Sequence, residues 1–342
     1  MTTWLTTVAP RSASESTIDS TYRPKVERWI VPHLGKHRLD RLRPEHLDAF
    51  YLALAANGLA PNTVLQIHRI LSRALKIAVR REIVSRNVAT LVDAPSGNEA
   101  EIEPLTQAEA RALLKVARCW RGGTRWSVAL ALGLRQCEAL GLRWKYVDLD
   151  KGEARVHWQI KRRRYKHGCD DPRACGTVTG YHRSKCPDGC ARHARYCPKR
   201  TGGGWYFAEP KGKGKRTVVI PPPLVKQLRQ QRAALAAERL AAGDSWQDWD
   251  LVWCQSDGSP IGAKADWQEW KQLLKAAKVA KDARVHDARH TAATLLLEQG
   301  SDLRVVQQVL GHSQITTTRR YAHVTDKLAR DAARRMGEAL WG

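Results

Sequence analysis

The sequence predicts a mainly α-helical fold with a small antiparallel β-sheet, split into a helical N-terminal domain and a mixed α+β C-terminal domain. Three observations carry this expectation. Apolar residues recur at three- and four-residue spacing through positions 17–93, the signature of successive amphipathic helices. A stretch rich in Pro, Gly, Ser and acidic residues, with no apolar period, follows at 94–104 and reads as a linker. From 105 to 342, short runs of β-branched and aromatic residues sit among further helical text. A chain of 342 residues is long enough for two domains, each with its own core.

The elements follow in order. Residues 1–16 read as a leader or the remnant of an earlier segment. The runs TYRPKVERWIVPHL, PEHLDAFYLALAANG and PNTVLQIHRILSRALKIAVRREI then predict three helices. Pro44 and Pro61 fit first turns, where a missing N–H costs nothing, and Gly35 and Gly58 fit stops. After the linker, Thr106 and Glu109 make a T-x-x-E capping box that opens TQAEARALLKVAR. A helical pair, RWSVALALGL and RQCEALGLRW, comes next. Strands are expected at ARVHWQI, GGWYFAEP and KRTVVIPPP, closed by Gly or Pro. Beyond Pro223 the text is helical again, ending in KLARDAARRMGEALWG, whose apolar spacing suits docking on a neighbour or on the chain's own body. There is no internal repeat.

Charge narrows the function. Lys and Arg number 58 against 34 Asp and Glu, a formal charge of +24. That field attracts a polyanion, and nucleic acid is the expected partner. No segment approaches the roughly 18–20 apolar residues a membrane helix needs, and no signal peptide opens the chain, so a cytoplasmic, nucleoid-associated protein is expected. Of eight cysteines, Cys119, Cys137 and Cys254 are scattered as single core residues would be, and the other five cluster.

Three separated segments offer chemistry: LGLRQCEALGLRW with Arg135, VHDARHTAATLLL with His286 and Arg289, and VLGHSQITTTRRYAH with His312 and Tyr321. Together they supply fixed positive charge, a proton donor and acceptor, and an oxygen nucleophile, which is what phosphoryl transfer requires. Two other readings compete. HDARH sets two imidazoles at i and i+4, as a zinc hydrolase does, with Asp287 in the place of the glutamate. A non-catalytic DNA-binding protein needs only the charge and the helices.

The ordered segments resemble the signature boxes of the tyrosine recombinases, the phage integrase family, over nearly the whole chain: Arg135 in the first, HDARH as an H-x-x-R-H box, LGH at His312, and Tyr321 nine residues later. The resemblance implies a SAM-like core-binding domain at 17–93 and a catalytic domain at 105–342, which clamp DNA. It implies a site-specific recombinase that cuts and rejoins DNA through a 3′-phosphotyrosyl bond, for integration or excision of a mobile element. Tyr321 then matches the nucleophile, Arg135 and Arg289 the phosphate clamps, His286 the acid/base and His312 a phosphate hydrogen-bonding partner. The remaining catalytic group is a lysine in a turn between strands. The EPK pattern prefers Lys211, and spacing from the following strand points to Lys213 as the alternative. Two positions depart from the pattern, Cys137 where Gly is usual and Ala288 where Leu is common; neither supplies a catalytic side chain. The implied partners are double-stranded attachment sites, a homotetramer on DNA with the last helix, near 325–342, reaching a neighbour, and accessory excision or DNA-bending factors. No cofactor is implied for catalysis. Many members carry an arm-binding module at the N-terminus; the opening MTTWLTTVAPRSASE reads as the tail of an earlier segment, so that module is expected to be either absent or lost by truncation.

Between the first two strand runs lies a basic insertion, about 161–203, too long for an ordinary hairpin loop and too poor in apolar residues for a core. Its segment KRRRYKHGCDDPRACGTVTGYHRSKCPDGCARHARYCPKR holds twelve Lys or Arg against three Asp, a composition suited to the DNA backbone. Cys169, Cys175, Cys186, Cys190 and Cys197, with His193 as a substitute, offer ligands for a structural zinc, with His167 and His182 also in the segment. The spacing C-x5-C, then C-x3-C-x2-H-x3-C, is looser than paired C-x2-C motifs.

Overall fold

A computed structural model describes residues 1–97, 103–173, 175, 193–210, 215–311, 334 and 336–340. The chain divides into two compact units, Met1–Glu101 and Ile102–Gly342.

The first unit is helical. Residues 15–34 form one helical stretch in which α and π turns alternate. Helix α1 (Pro44–Ala56) and helix α2 (Pro61–Arg80) each begin on a proline at the first turn. Gly58, at φ +75°, turns the chain between them. Gly35 caps the preceding stretch in an ordinary right-handed conformation. Leu47, Leu54, Ile67 and Ile30 are fully buried at the centre, and the Tyr51 hydroxyl meets His68 Nδ1 at 2.8 Å inside the unit. Residues 1–16 pack with this unit. Trp4 and Leu5, in a helical turn Trp4–Val8, are buried in this same core. Hydrophobic burial overrides their weak local periodicity.

The second unit begins at the Thr106 box. Thr106 Oγ1 accepts from the Glu109 amide at 3.2 Å, and Glu109 Oε2 accepts from the Thr106 amide at 2.7 Å, opening helix α3 (Gln107–Ala117). Helices α4 (Thr124–Leu132) and α5 (Gln136–Leu140) form the expected pair. Strands β1 (Val147–Asp148), β2 (Glu153–Val156), β3 (Gln159–Lys166), β4 (Thr201–Ala208) and β5 (Arg216–Val219) follow. Then come helices α6 (Pro222–Ala242), α7 (Ala263–Ala276), α8 (Val285–Glu298) and α9 (Leu303–Leu310). The fold is therefore mostly helical with small antiparallel sheets.

The sheet differs from the expectation in one respect: there are two among the described residues. β1, β2 and β5 make one, and β3 pairs only with β4. The run ARVHWQI is broken because β2 loses its partner at Val156, opposite Arg216, the first residue of β5. Past His157 and Trp158 the chain pairs with β4 instead, in a two-stranded ribbon running from Gln159 opposite Ala208 to Lys166 opposite Thr201. Both ends of the basic insertion are thus strand. Arg162, Arg163 and Arg164 are exposed along it, with Arg162 stacked over Trp205 and Arg163 over Tyr206.

The core of this unit contains Trp126 and Trp270, both fully buried with ring centroids 5.1 Å apart. Beside them Arg125 and Asp266 form a buried ion pair at 3.0 Å, and Gln136 donates to the same Asp266 oxygen at 2.7 Å. Cys254 is buried and Cys137 half-buried, as core cysteines would be. Cys119 is exposed, because it lies in the turn after α3 instead of on the helix's inner face.

Candidate active site

Helix α9 organises the site. Asp302 accepts from the Arg304 amide at its start, and Gly311 ends it at φ +67°. The last carbonyls of a helix have no partner within it and carry the negative end of the helix dipole. Here three successive carbonyls are each taken by an arginine from a different element. Arg216 Nε donates to Val309 O at 2.8 Å, Arg289 Nη2 to Leu310 O at 2.7 Å, and Arg135 Nη2 to Gly311 O at 3.2 Å.

Each arginine is held from its other side. Arg289 lies on α8 with only 2% of its surface exposed, and its Nη1 donates to Gly133 O at 2.8 Å. Gly133 ends α4 at φ +58°, and a Cβ there would come within 2.4 Å of Leu310 Cδ2. Two residues on, Arg135 precedes α5, its amide donating to Glu138 Oε2 at 3.2 Å and its Nη1 to Glu138 Oε1 at 2.7 Å. Glu138 also accepts from Arg216 Nη2 at 2.9 Å. Burial alone would raise the Glu138 pKa, but Arg216 and then Arg135 outweigh it and hold the carboxylate below its ordinary range. One buried anion therefore spaces two cations that would otherwise repel. About a third of the Arg135 side chain remains exposed.

The sequence reading did not single out Glu138 or Arg216. Glu138 left a readable trace, an acid three residues after the helix-opening Arg135, which is capping-box spacing. Arg216 left none, since its partner carbonyl lies 93 residues away.

His286 stands exposed one turn before Arg289 on α8. Its pKa is lowered by desolvation and by the positive charges of Arg289 and Arg135, so the imidazole is neutral near pH 7. His290 is buried against it, rings edge-on at 4.9 Å, and burial pushes its pKa down to about 4. The hydrolase arrangement is not met. Asp287, cast as its general base, instead caps α8: it accepts from the Arg284 amide at 2.7 Å and the Arg284 guanidinium at 2.9 Å. The cluster of possible metal ligands found among the described residues contains neither His286 nor His290.

Arg135, Arg289 and His286 are therefore described at a common site, and Gly311 leads directly to His312. Lys211, Lys213, His312 and Tyr321 lie outside the described residues, as do Cys186, Cys190 and most of the final helix.

In the insertion, Cys169, Cys175 and Cys197 come together with His167, their ligand atoms all within 4.8 Å of one another. Three members of this set are among the expected thiols. His193 is not in it and packs against the Tyr196 ring, while His167 supplies the imidazole. The Cys197 thiol is pulled down to about 6 against the effect of burial, by the Gly168 amide and then by Cys175, His167 and Cys169.

Comparison with known proteins gives the family. The phage integrase family pattern matches residues 202–327. An integrase of Saccharopolyspora erythraea is 38% identical over 361 residues, covering 100% of this chain and 82% of that protein. The chain belongs to the phage integrase family. It is a tyrosine recombinase, an enzyme that cleaves and rejoins DNA site-specifically. Among solved structures, the Tn1549 transposon integrase in complex with a circular intermediate DNA superposes with a TM-score of 0.71, covering 96% of each chain at 19% identity. A lambda integrase tetramer bound to a Holliday junction gives a TM-score of 0.62 at 15% identity, covering 93% of this chain and 74% of that one. These two likenesses are of fold. No helix among the described residues is long and apolar enough to cross a membrane.

Proposed function

We propose that the recombinase breaks DNA by attack of the Tyr321 phenolic oxygen on a phosphodiester, forming a 3′-phosphotyrosyl ester and expelling the 5′-oxygen. Arg135 and Arg289 act as clamps on the non-bridging oxygens, where a planar guanidinium pairs bidentately and neutralises charge growing in the transition state. His286, neutral near pH 7, takes the phenolic proton, and His312 hydrogen-bonds the phosphate. Lys211, or Lys213 in its place, protonates the leaving oxygen. The ester keeps the bond energy, so reversal by a second strand's 5′-hydroxyl rejoins DNA without another energy source.

The observation that carries this reading is the convergence of Arg135 and Arg289 on the end of α9, one residue before His312. Fixed positive charge pre-organised by backbone carbonyls supports this reading, because it stabilises charge where it develops in the transition state.

The Met1–Glu101 unit is the core-binding domain in this proposal, and the Ile102–Gly342 unit is catalytic. The substrate is a pair of double-stranded attachment sites in the cytoplasmic nucleoid, exchanged by a homotetramer with accessory bending or excision factors. The ribbon arginines follow the phosphate backbone. The insertion carries a structural zinc, outside the chemistry.

A nicked attachment-site duplex that traps the covalent adduct tests the reading. The wild-type chain should give a protein–DNA band stable in denaturing gels, and Tyr321→Phe should bind the duplex with unchanged affinity and give none. An adduct that persists in Tyr321→Phe would sink the assignment.

A further inference from the structure

We propose that His167, Cys169, Cys175 and Cys197 form a closed Cys3His zinc site that clips the far end of the β3–β4 ribbon, and that Cys186, Cys190 and His193 are not its ligands. This rests on the reading that the insertion holds a structural metal.

The geometry is near that of a loaded site. Zn–S bonds of about 2.3 Å set tetrahedral donors roughly 3.8 Å apart. The widest pair here is within 4.8 Å, so closure on the ion asks for a contraction of about 1 Å. His167 follows the last residue of β3 directly, and Cys197 comes just before β4. The ligands therefore lie on both rails of the ribbon, where an ion holds the strands in register.

Two further observations point to a ligand. His167 Nδ1 lies 3.5 Å from Cys169 Sγ, while its Nε2 is buried with no hydrogen-bond partner among the described residues. Cys197 is fully buried in a segment with little apolar text, and its sulfur accepts the Gly168 amide, a bond that orients a metal-bound thiolate. Gly168 is needed for that approach: a Cβ there would stand 2.0 Å from Lys199 O.

Charge agrees. Three thiolates and one Zn²⁺ sum to a net negative site amid the twelve Lys or Arg at 161–200, so the loaded clip offsets their repulsion. Binding releases thiol protons, and the free energy gained holds a segment too poor in apolar residues to fold by burial.

The test uses the full-length chain purified with a reductant. Bound zinc is counted by plasma mass spectrometry, and Co²⁺ replacement is read by sulfur-to-metal charge-transfer absorption. About one zinc per chain is expected, with a tetrahedral Co²⁺ spectrum carrying three thiolates. His167→Ala, Cys169→Ser, Cys175→Ser and Cys197→Ser should each lose the metal. The double variant C186S/C190S and His193→Ala should keep it. Limited proteolysis gives a readout independent of activity: chelation should open cleavage within 161–206 while circular dichroism of the helical body is unchanged. A wild-type chain that binds no zinc or cobalt would overturn the structural-metal reading itself. A chain that keeps its zinc in His167→Ala and loses it in His193→Ala or the double variant would overturn the ligand set alone.

Discussion

The Glu138 carboxylate and the Arg216 guanidinium meet at 2.9 Å with 1% and 8% of their side chains exposed. Because Glu138 also holds Arg135 at 2.7 Å, a residue that touches no substrate in the proposed chemistry sets the position of one that does.

Replacing Glu138 separates charge from shape. Glu138→Ala leaves Arg216 buried without its anion and should cost about 3–5 kcal/mol in urea unfolding. Glu138→Gln keeps the size and one acceptor and should cost less. Its adduct yield should nevertheless fall by about tenfold or more, since a loss of 1.4 kcal/mol in clamp positioning is a factor of ten in rate. Wild-type adduct formation in Glu138→Gln would remove Glu138 from the positioning role.

The Arg125–Asp266 pair makes a prediction about stability alone. Both partners are almost fully buried, and Arg125 also lies over the Trp126 ring, 4.8 Å from its centroid. Asp266→Ala should destabilise the chain by about 3–5 kcal/mol, more than removal of an exposed pair such as Arg38–Asp40, worth about 0–1 kcal/mol. Denaturant midpoints of the two variants side by side check the ranking.

The low pKa of His290 gives a pH dependence of known sign. Its folded value, about 4, lies below the ordinary histidine value of 6.5, so below pH 6.5 the unfolded chain binds a proton the folded chain refuses. Stability from this group is full above pH 6.5 and is lost as pH falls toward 4, to a total on the order of 3 kcal/mol. Glu138 acts in the same direction at lower pH, with stability present above its unfolded value and lost as pH drops through its depressed folded value. Urea melts between pH 7 and pH 4.5 should show a decline that His290→Phe flattens. An equally steep decline in His290→Phe would place the titration elsewhere.

The ribbon arginines predict a salt effect. If Arg162, Arg163 and Arg164 each neutralise a phosphate, their joint replacement by Ala should reduce the slope of log affinity against log salt by about 2–3. Trapping on a short core duplex at low salt should be unaffected. An unchanged slope by fluorescence anisotropy would mean that the ribbon points away from DNA.

Much of this was legible before any coordinates. Pro44, Pro61 and the Thr106–Glu109 box mark helix starts by local chemistry, and local chemistry is what a sequence records well. Arg135, His286 and Arg289 were found because their spacing repeats a family pattern. What escaped notice depends on distant contacts. Trp4 and Leu5 are core residues only because helices up to about 70 positions away fold over them, and Arg216 matters only because α9 ends beside it. The split of ARVHWQI was hidden because both strands share one composition, and only the start of β5 tells where one sheet must stop. His167 was passed over as a preferred ligand in favour of His193, which sits closer to the later cysteines in sequence, whereas the described cluster contains His167.

The separation of β3–β4 from the β1–β2–β5 sheet makes the insertion an appendage with a natural trimming point. Gln159 and Ala208 face each other at the base of the ribbon, where Ile160, Trp205 and Phe207 pack on the body, so the 48 residues between them are entered and left through one strand pair. An accessory tethered this way is free to lengthen, shrink or change its cargo over evolutionary time while the arginine-bearing framework behind it stays as it is.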